Sequence, residues 1–199
     1  MTSIEQTYQN LERLLAINRE LETKCFYLVF GGFAIDGILG KFNRPHKDID
    51  LLCFRRDIET MKEGLKNSGF EMVEVAHPKE PELIYKLVSA DKQKSCTCHI
   101  LDEVIDNCFE ISFYHFLRQR FPLYLIAMQS ITLHNITYPV PTREFLCILK
   151  KQEDILLNEI KKNNSEKYVK WKNRHHSVKR DRKLLKELDE SNILSKYGN

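Results

Sequence analysis

One stretch constrains this 199-residue chain more than any other: a strand that ends on two glycines, then a strand that opens on two aspartates. Phe26–Phe30 is a short apolar run rich in aromatic and branched residues, and Gly31-Gly32 ends it. Phe33–Leu39 reads as a helix stopped by Gly40, a suitable left-handed cap. Asn43-Arg44-Pro45-His46 is a loop, because Pro45 disfavours helix at Arg44. Asp48-Ile-Asp50-Leu-Leu-Cys-Phe54 then alternates before running apolar, and the period of two puts Asp48 and Asp50 on one face of a strand.

These residue types suit one kind of chemistry. Glycines between a strand and a helix let a phosphate approach the backbone, and the helix N-terminus offers free N–H groups and the positive end of its dipole. Two carboxylates on one face repel each other, and a divalent cation relieves that repulsion. Mg²⁺ favours hard carboxylate oxygens together with substrate phosphates. A lone Gly-Gly is usually a turn and a lone Asp-x-Asp a solvated edge, so the signal lies in their combination on a strand–helix–strand frame.

That combination resembles the DNA polymerase beta-like nucleotidyltransferase superfamily, and more narrowly the aminoglycoside and lincosamide O-nucleotidyltransferases. The resemblance rests on Gly31-Gly32-Phe33-Ala34-Ile35-Asp36, Gly40 and Arg44-Pro45-His46-Lys47-Asp48-Ile49-Asp50-Leu51, with Phe33 at a usual Trp. It implies a mixed sheet flanked by helices, and a site in which Asp48 and Asp50 bind Mg²⁺ while the Gly31-Gly32 backbone cradles the outer phosphates of a nucleoside triphosphate, by default ATP. A hydroxyl of a small molecule, aminoglycoside-like or lincosamide-like, would attack the α-phosphorus and release pyrophosphate. Arg44 and His46 either contact phosphate or fix the loop. Asp36 belongs to the pattern and is expected to order the loop.

The chain departs from the family at the third carboxylate. The relevant strand reads Ser95-Cys-Thr-Cys-His-Ile-Leu-Asp102, and Thr97 stands where the family's aspartate falls if His99 is the family's histidine. Asp102 would supply the acid only through a shifted register or a bend, since alternation puts it on the face opposite Thr97 and His99. His99 is either a base, with an ordinary pKa of about 6.5, or a packed strand histidine. Two alternatives follow. One is transfer to tRNA or to a protein, suggested by the basic run Lys167–Lys183 with Tyr168, Trp171, His175 and His176 interleaved. The other is a degenerate, non-catalytic nucleotide-binding module.

The remaining pattern completes an α/β (α+β) expectation. Ile4–Leu21 has helical spacing, Arg56–Ser68 is a helix closed by Gly69, and Phe70–Val75 is a strand. Leu83–Ser89 and Cys96–Leu101 form a hairpin across a polar turn at 91–94, and Ile131–Val140 forms another. Phe109–Met128 is aromatic-rich and fits no single element. A helix capped by Thr142 runs to Asn163-Asn164-Ser165, and a basic helix follows from about Glu166 to Leu188. The expected division is a nucleotidyltransferase core, residues 1–140, and a C-terminal helical appendage, residues 141–199.

Composition adds exclusions. No run approaches the roughly 18 apolar residues that span a bilayer. The N-terminus lacks a basic-then-apolar leader, so the cytoplasm is the expected compartment. The net charge of +3 is too small to imply a partner by itself. The six cysteines form no CxxC pair and several lie in apolar runs, so they are expected to be reduced and buried. The sharper alternative, a zinc site from Cys96, Cys98, His99 and Cys108, fits no usual spacing.

Overall fold

The computed structural model describes residues 3–77, 80–91, 95–113 and 117–197, with nine strands and five α-helices among them. The chain divides into two compact units, Met1–Thr142 and Arg143–Asn199.

In the first unit, α1 (Ile4–Leu21) starts where Ser3 Oγ accepts a hydrogen bond from the Gln6 N–H at 3.1 Å. Its buried stripe is Thr7, Asn10, Leu11, Leu14, Ile17 and Leu21. Spacings of three and four bring those side chains to one face. Each buried leucine or isoleucine contributes roughly 1.5–3 kcal/mol.

The main sheet holds β1 (Tyr27–Phe30), β2 (Asp48–Phe54), β3 (Met72–His77), β4 (Glu80–Ser89), β5 (Ser95–Val104), β6 (Cys108–Phe113) and β7 (Leu117–Pro122). The order β1-β2-β5-β4-β3 forms one path, and β6 pairs with both β5 and β7. β2 and β5 run parallel and the other pairs antiparallel, which is the mixed sheet anticipated. The crossover between the parallel strands carries α3 (Ile58–Asn67), in keeping with the need for a long connection.

α2 (Gly31–Leu39) follows β1 without an intervening residue, and Gly31 to Gly37 are all buried. Gly40 ends α2 at φ +69°, as its place after the apolar run suggested. A second sheet, β8 (Gln129–Leu133) and β9 (Ile136–Val140), lies against α2. The Tyr138 hydroxyl on β9 donates to the Phe33 carbonyl oxygen at 2.9 Å. Burial pushes the Tyr138 phenol well above its ordinary pKa, with Asp36 adding to the shift.

Several expectations need adjusting. The third strand is Met72–His77 rather than Phe70–Val75. The aromatic segment after Phe109 contains the end of β6, then β7 and a 3-10 turn at Leu123–Ile126. Of the polar turn at 91–94, residues 92–94 lie outside the described residues. The Thr142 hydroxyl, expected as a helix cap, donates to the Leu125 carbonyl oxygen at 2.7 Å.

The second unit is a pair of helices, α4 (Arg143–Asn163) and α5 (Ser165–Tyr197). α5 therefore outruns the expected end near Leu188. A polar network sets the register of the pair. Asp154 accepts from Arg182 and lies 3.0 Å from His175 Nε2, while the Tyr168 hydroxyl lies 3.0 Å from His175 Nδ1. Glu153 receives Arg174 and Lys150, the latter at 3.1 Å. Glu153, Asp154 and His175 are buried, so matching charge and hydrogen bonds offset their desolvation.

Candidate active site

The sheet register assembles the site. Phe30 pairs with Asp50 across β1 and β2. On the other side of β2, Asp48 pairs with Ser95, Asp50 with Thr97 and Leu52 with His99. Cross-strand partners share a face, so Asp48, Asp50, Ser95, Thr97 and His99 look out on one side. All five are half-buried, whereas Ile49, Leu51, Cys96 and Cys98 point the other way and are buried. Burial drives the Cys96 thiol far above its ordinary pKa, and the Asp50 and Asp48 carboxylates add to that shift.

The glycine turn closes on this face. Gly31 sits at φ +68°, and a Cβ there would collide with Asp50 Oδ2. The missing side chain is thus what lets Asp50 lie against the backbone that begins α2. A Cβ on Gly32 would lie 2.5 Å from the His46 ring and 2.7 Å from Arg44 Nη2. Arg44 therefore holds its guanidinium over the turn, beside the N-terminus of α2.

His46 and Asp36 form the scaffold of that loop. Their relative exposures are 1% and 2%, and His46 Nε2 lies 2.6 Å from Asp36 Oδ2. Asp36 also accepts from the Asn43 backbone N–H at 3.1 Å and from Asn43 Nδ2 at 2.9 Å. Helix α1 clamps His46 from outside. Thr7 Oγ1 accepts from the His46 N–H at 2.7 Å, and Asn10 Nδ2 donates to its carbonyl oxygen at 3.2 Å. The His46 ring also lies 4.5 Å from the Phe33 ring. Of the two residues between loop fixing and phosphate contact, His46 is thus bound into the loop, while Arg44 is placed over the glycines. The buried part of α1 was not read as site support, and Thr7 and Asn10, polar residues at an otherwise apolar stripe, were its only signal.

Asp102 is not brought to the acid pair. It lies five residues beyond Thr97 on β5 and receives both Nε and Nη2 of Arg55, the latter at 3.0 Å. Neighbouring acids are likewise engaged: Glu103 by Arg56, and Glu110 by Arg120 at 2.9 Å. Asp102 thus stands five residues beyond the position that pairs with Asp50, joined to Arg55 rather than beside the acid pair. His99 does share the face of Asp50, with Phe30 edge-on at 5.4 Å between ring centroids. The zinc alternative also fails, because Cys96 and Cys98 point away from His99, and Cys98 Sγ instead lies 3.5 Å from Cys53 Sγ.

The donor set fits Mg²⁺ held jointly with a nucleotide. Two carboxylates on one open face match an ion that takes one or two protein carboxylates and completes its shell with phosphates and water. Among the described residues no three His, Cys, Asp or Glu side chains gather around one point, so an all-protein cage is not part of this arrangement.

Comparison with known proteins follows the same lines. The family model for aminoglycoside-2''-adenylyltransferase matches residues 11–108, just under half of the chain. No curated protein matches the sequence. Among solved structures, the solution structure of antibiotic-resistance factor ANT(2'')-Ia aligns with TM-score 0.60 and 16% identity, over 98% of this chain and 95% of that one. The same factor in complex with adenylyl-2''-tobramycin aligns with TM-score 0.57 and 17% identity, over 90% and 88%. Lincomycin-bound lincosamide antibiotic adenylyltransferase LnuA aligns with TM-score 0.51 and 16% identity, over 71% and 84%. Fold and family match together make this chain a nucleotidyltransferase. In fold and in the matched stretch it resembles the aminoglycoside and lincosamide nucleotidyltransferases.

Proposed function

We propose that this chain is a Mg²⁺-dependent adenylyltransferase that moves AMP from ATP to a hydroxyl of a small molecule, aminoglycoside-like or lincosamide-like. The observation that carries the reading is the contact of Asp50 with the side-chain-free backbone of Gly31. It sets an acid pair beside a helix N-terminus, as a nucleotide's phosphates require.

In this reading Asp48 and Asp50 would hold Mg²⁺, which would supply positive charge to stabilise the transferring phosphoryl group. Gly31 and Gly32 present backbone N–H groups to the outer phosphates, and Arg44 adds a fixed positive charge over the turn. Asp36 and His46 keep the Arg44 loop in place. The acceptor hydroxyl forms a bond to the α-phosphorus, the bond to the pyrophosphate oxygen breaks, and the hydroxyl proton passes to a base. Thr97 has no such capacity. His99, on the same face, is the residue we assign to that proton. Replacement of His99 by Gln is expected to lower kcat by about 10²–10⁴-fold, the usual range for a general base.

Support for a small hydroxylated acceptor comes from the relatives that bind tobramycin and lincomycin. The arginines on Asp102, Glu103 and Glu110 argue against recognition of a polycation along that run. A second reading is favoured by Thr97 at the register position beside Asp50: a module that binds ATP without transferring AMP. Pyrophosphate release from ATP, followed across a panel of aminoglycosides and lincosamides, separates the two. Release triggered by one acceptor and lost in Asp50→Asn supports transfer. Mg²⁺-dependent ATP binding with no release for any acceptor supports the module.

A further inference from the structure

The second unit carries a basic groove that the transferase chemistry leaves unused. Lys151 on α4 and Lys179, Arg182, Lys183 and Lys186 on α5 line a cavity of about 460 Å³. Between Tyr168 and Lys186 the sequence has eight lysines and arginines and a single carboxylate, Asp181. That carboxylate is buried and lies 3.6 Å from Lys150, so this part of α5 shows solvent no acid.

The basic residues are also in line. Lys172, His176, Lys179, Lys183 and Lys186 follow one another at spacings of four and three, which puts them on one face of α5. All five are exposed. At 1.5 Å per residue the line is about 21 Å long, the span of several successive phosphates of an extended single strand. Trp171, half-buried, adjoins the line with the Arg174 guanidinium 5.8 Å from its ring centroid.

We propose that this groove and the cationic line of α5 bind the phosphodiester backbone of a single-stranded nucleic acid. The length of the line favours it over a small oligophosphate, which the groove alone would hold. A membrane surface calls for an apolar face opposite the basic one, and α5 instead turns His175 and Asp181 inward. Trp171 offers a face on which a base stacks, a contact that single-strand binders use and that an acidic peptide does not need. Arg182 is held by Asp154, and Lys183 lies 3.6 Å from Glu187. The first contact fixes one wall of the groove, and the second is an exposed pair that salt and a competing phosphate readily break. The inference is independent of the transferase reading.

Trp171 is the only tryptophan of the chain, so its fluorescence reports binding without a label. The full-length protein is titrated with 12-nucleotide single-stranded RNA and DNA at several salt concentrations. Quenching is expected with either, and similar affinities identify the shared backbone while a preference for RNA adds the 2′-hydroxyl as a contact. The triple variant Lys179→Gln/Lys183→Gln/Lys186→Gln is expected to bind at least tenfold more weakly. It is also expected to flatten the dependence of log K on log salt by about 2, at about 0.7 per lost contact. A charge-matched control, Lys24→Gln/Lys62→Gln/Lys66→Gln, is expected to bind within twofold of wild type. Salt-insensitive quenching, equal loss in both triple variants, no binding at low salt, or full displacement by equimolar tripolyphosphate would each overturn the proposal.

Discussion

Two groups of carboxylates on neighbouring strands of one sheet meet opposite fates. At the glycine end, Asp48 and Asp50 face outward and Asp50 rests against backbone made bare by Gly31. At the far end of β5, Asp102 is held in the fork of Arg55, and Glu103 is matched by Arg56. Arginine's planar fork fixes a carboxylate through two parallel hydrogen bonds, which makes a sound joint between chain segments. The two ends differ in their register positions, which set Asp50 against Gly31 and Asp102 against Arg55.

The comparison breaks if the two ends respond alike to mutation. The largest effect is expected for Asp50→Asn, which should cut nucleotidyl transfer by about 10³-fold or more, since several kcal/mol of charge stabilisation go with the ligand. Circular dichroism should show an unchanged fold. Next comes His46→Ala, which leaves Asp36 buried without its ring partner. Loss of one buried hydrogen-bond partner costs about 1–3 kcal/mol, and denaturant unfolding should report a loss of that order. Gly31→Ala should follow. Its left-handed φ costs about 1–2 kcal/mol for a residue with a Cβ, and the collision with Asp50 should reduce ATP binding more than stability. Asp102→Asn should do least, leaving kcat within about threefold, with stability lowered by about 1 kcal/mol or less because the Arg55 pair is partly exposed. A collapse of kcat in Asp102→Asn matching that of Asp50→Asn would mean that both ends belong to one site.

The sequence made the glycine end legible because its signals are local. The Gly31-Gly32 turn, the Gly40 cap and the alternation of Asp48 and Asp50 all lie within one strand–helix–strand unit, where period and turn chemistry decide structure. The fate of Asp102 was hidden because its partner, Arg55, lies 47 residues earlier, and only the parallel pairing of β2 with β5 joins them. Comparable separations, of 39 and 36 residues, hid the clamp of Thr7 and Asn10 on His46. The strands after Phe109 escaped notice for a different reason: β7, Leu-Arg-Gln-Arg-Phe-Pro, has no clean alternation of apolar and polar residues. In α5 the apolar stripe is interrupted, because His175 and Asp181 alternate with Val178 and Leu185 along its buried face.

The most direct test of the central claim is a calorimetric titration of ATP into wild-type protein and the Asp48→Asn/Asp50→Asn variant, each with and without Mg²⁺. The account predicts that wild type binds only when Mg²⁺ is present and that the variant binds at least about 100-fold more weakly, the loss of roughly 2.7 kcal/mol. Equal, metal-independent binding by both proteins would contradict it.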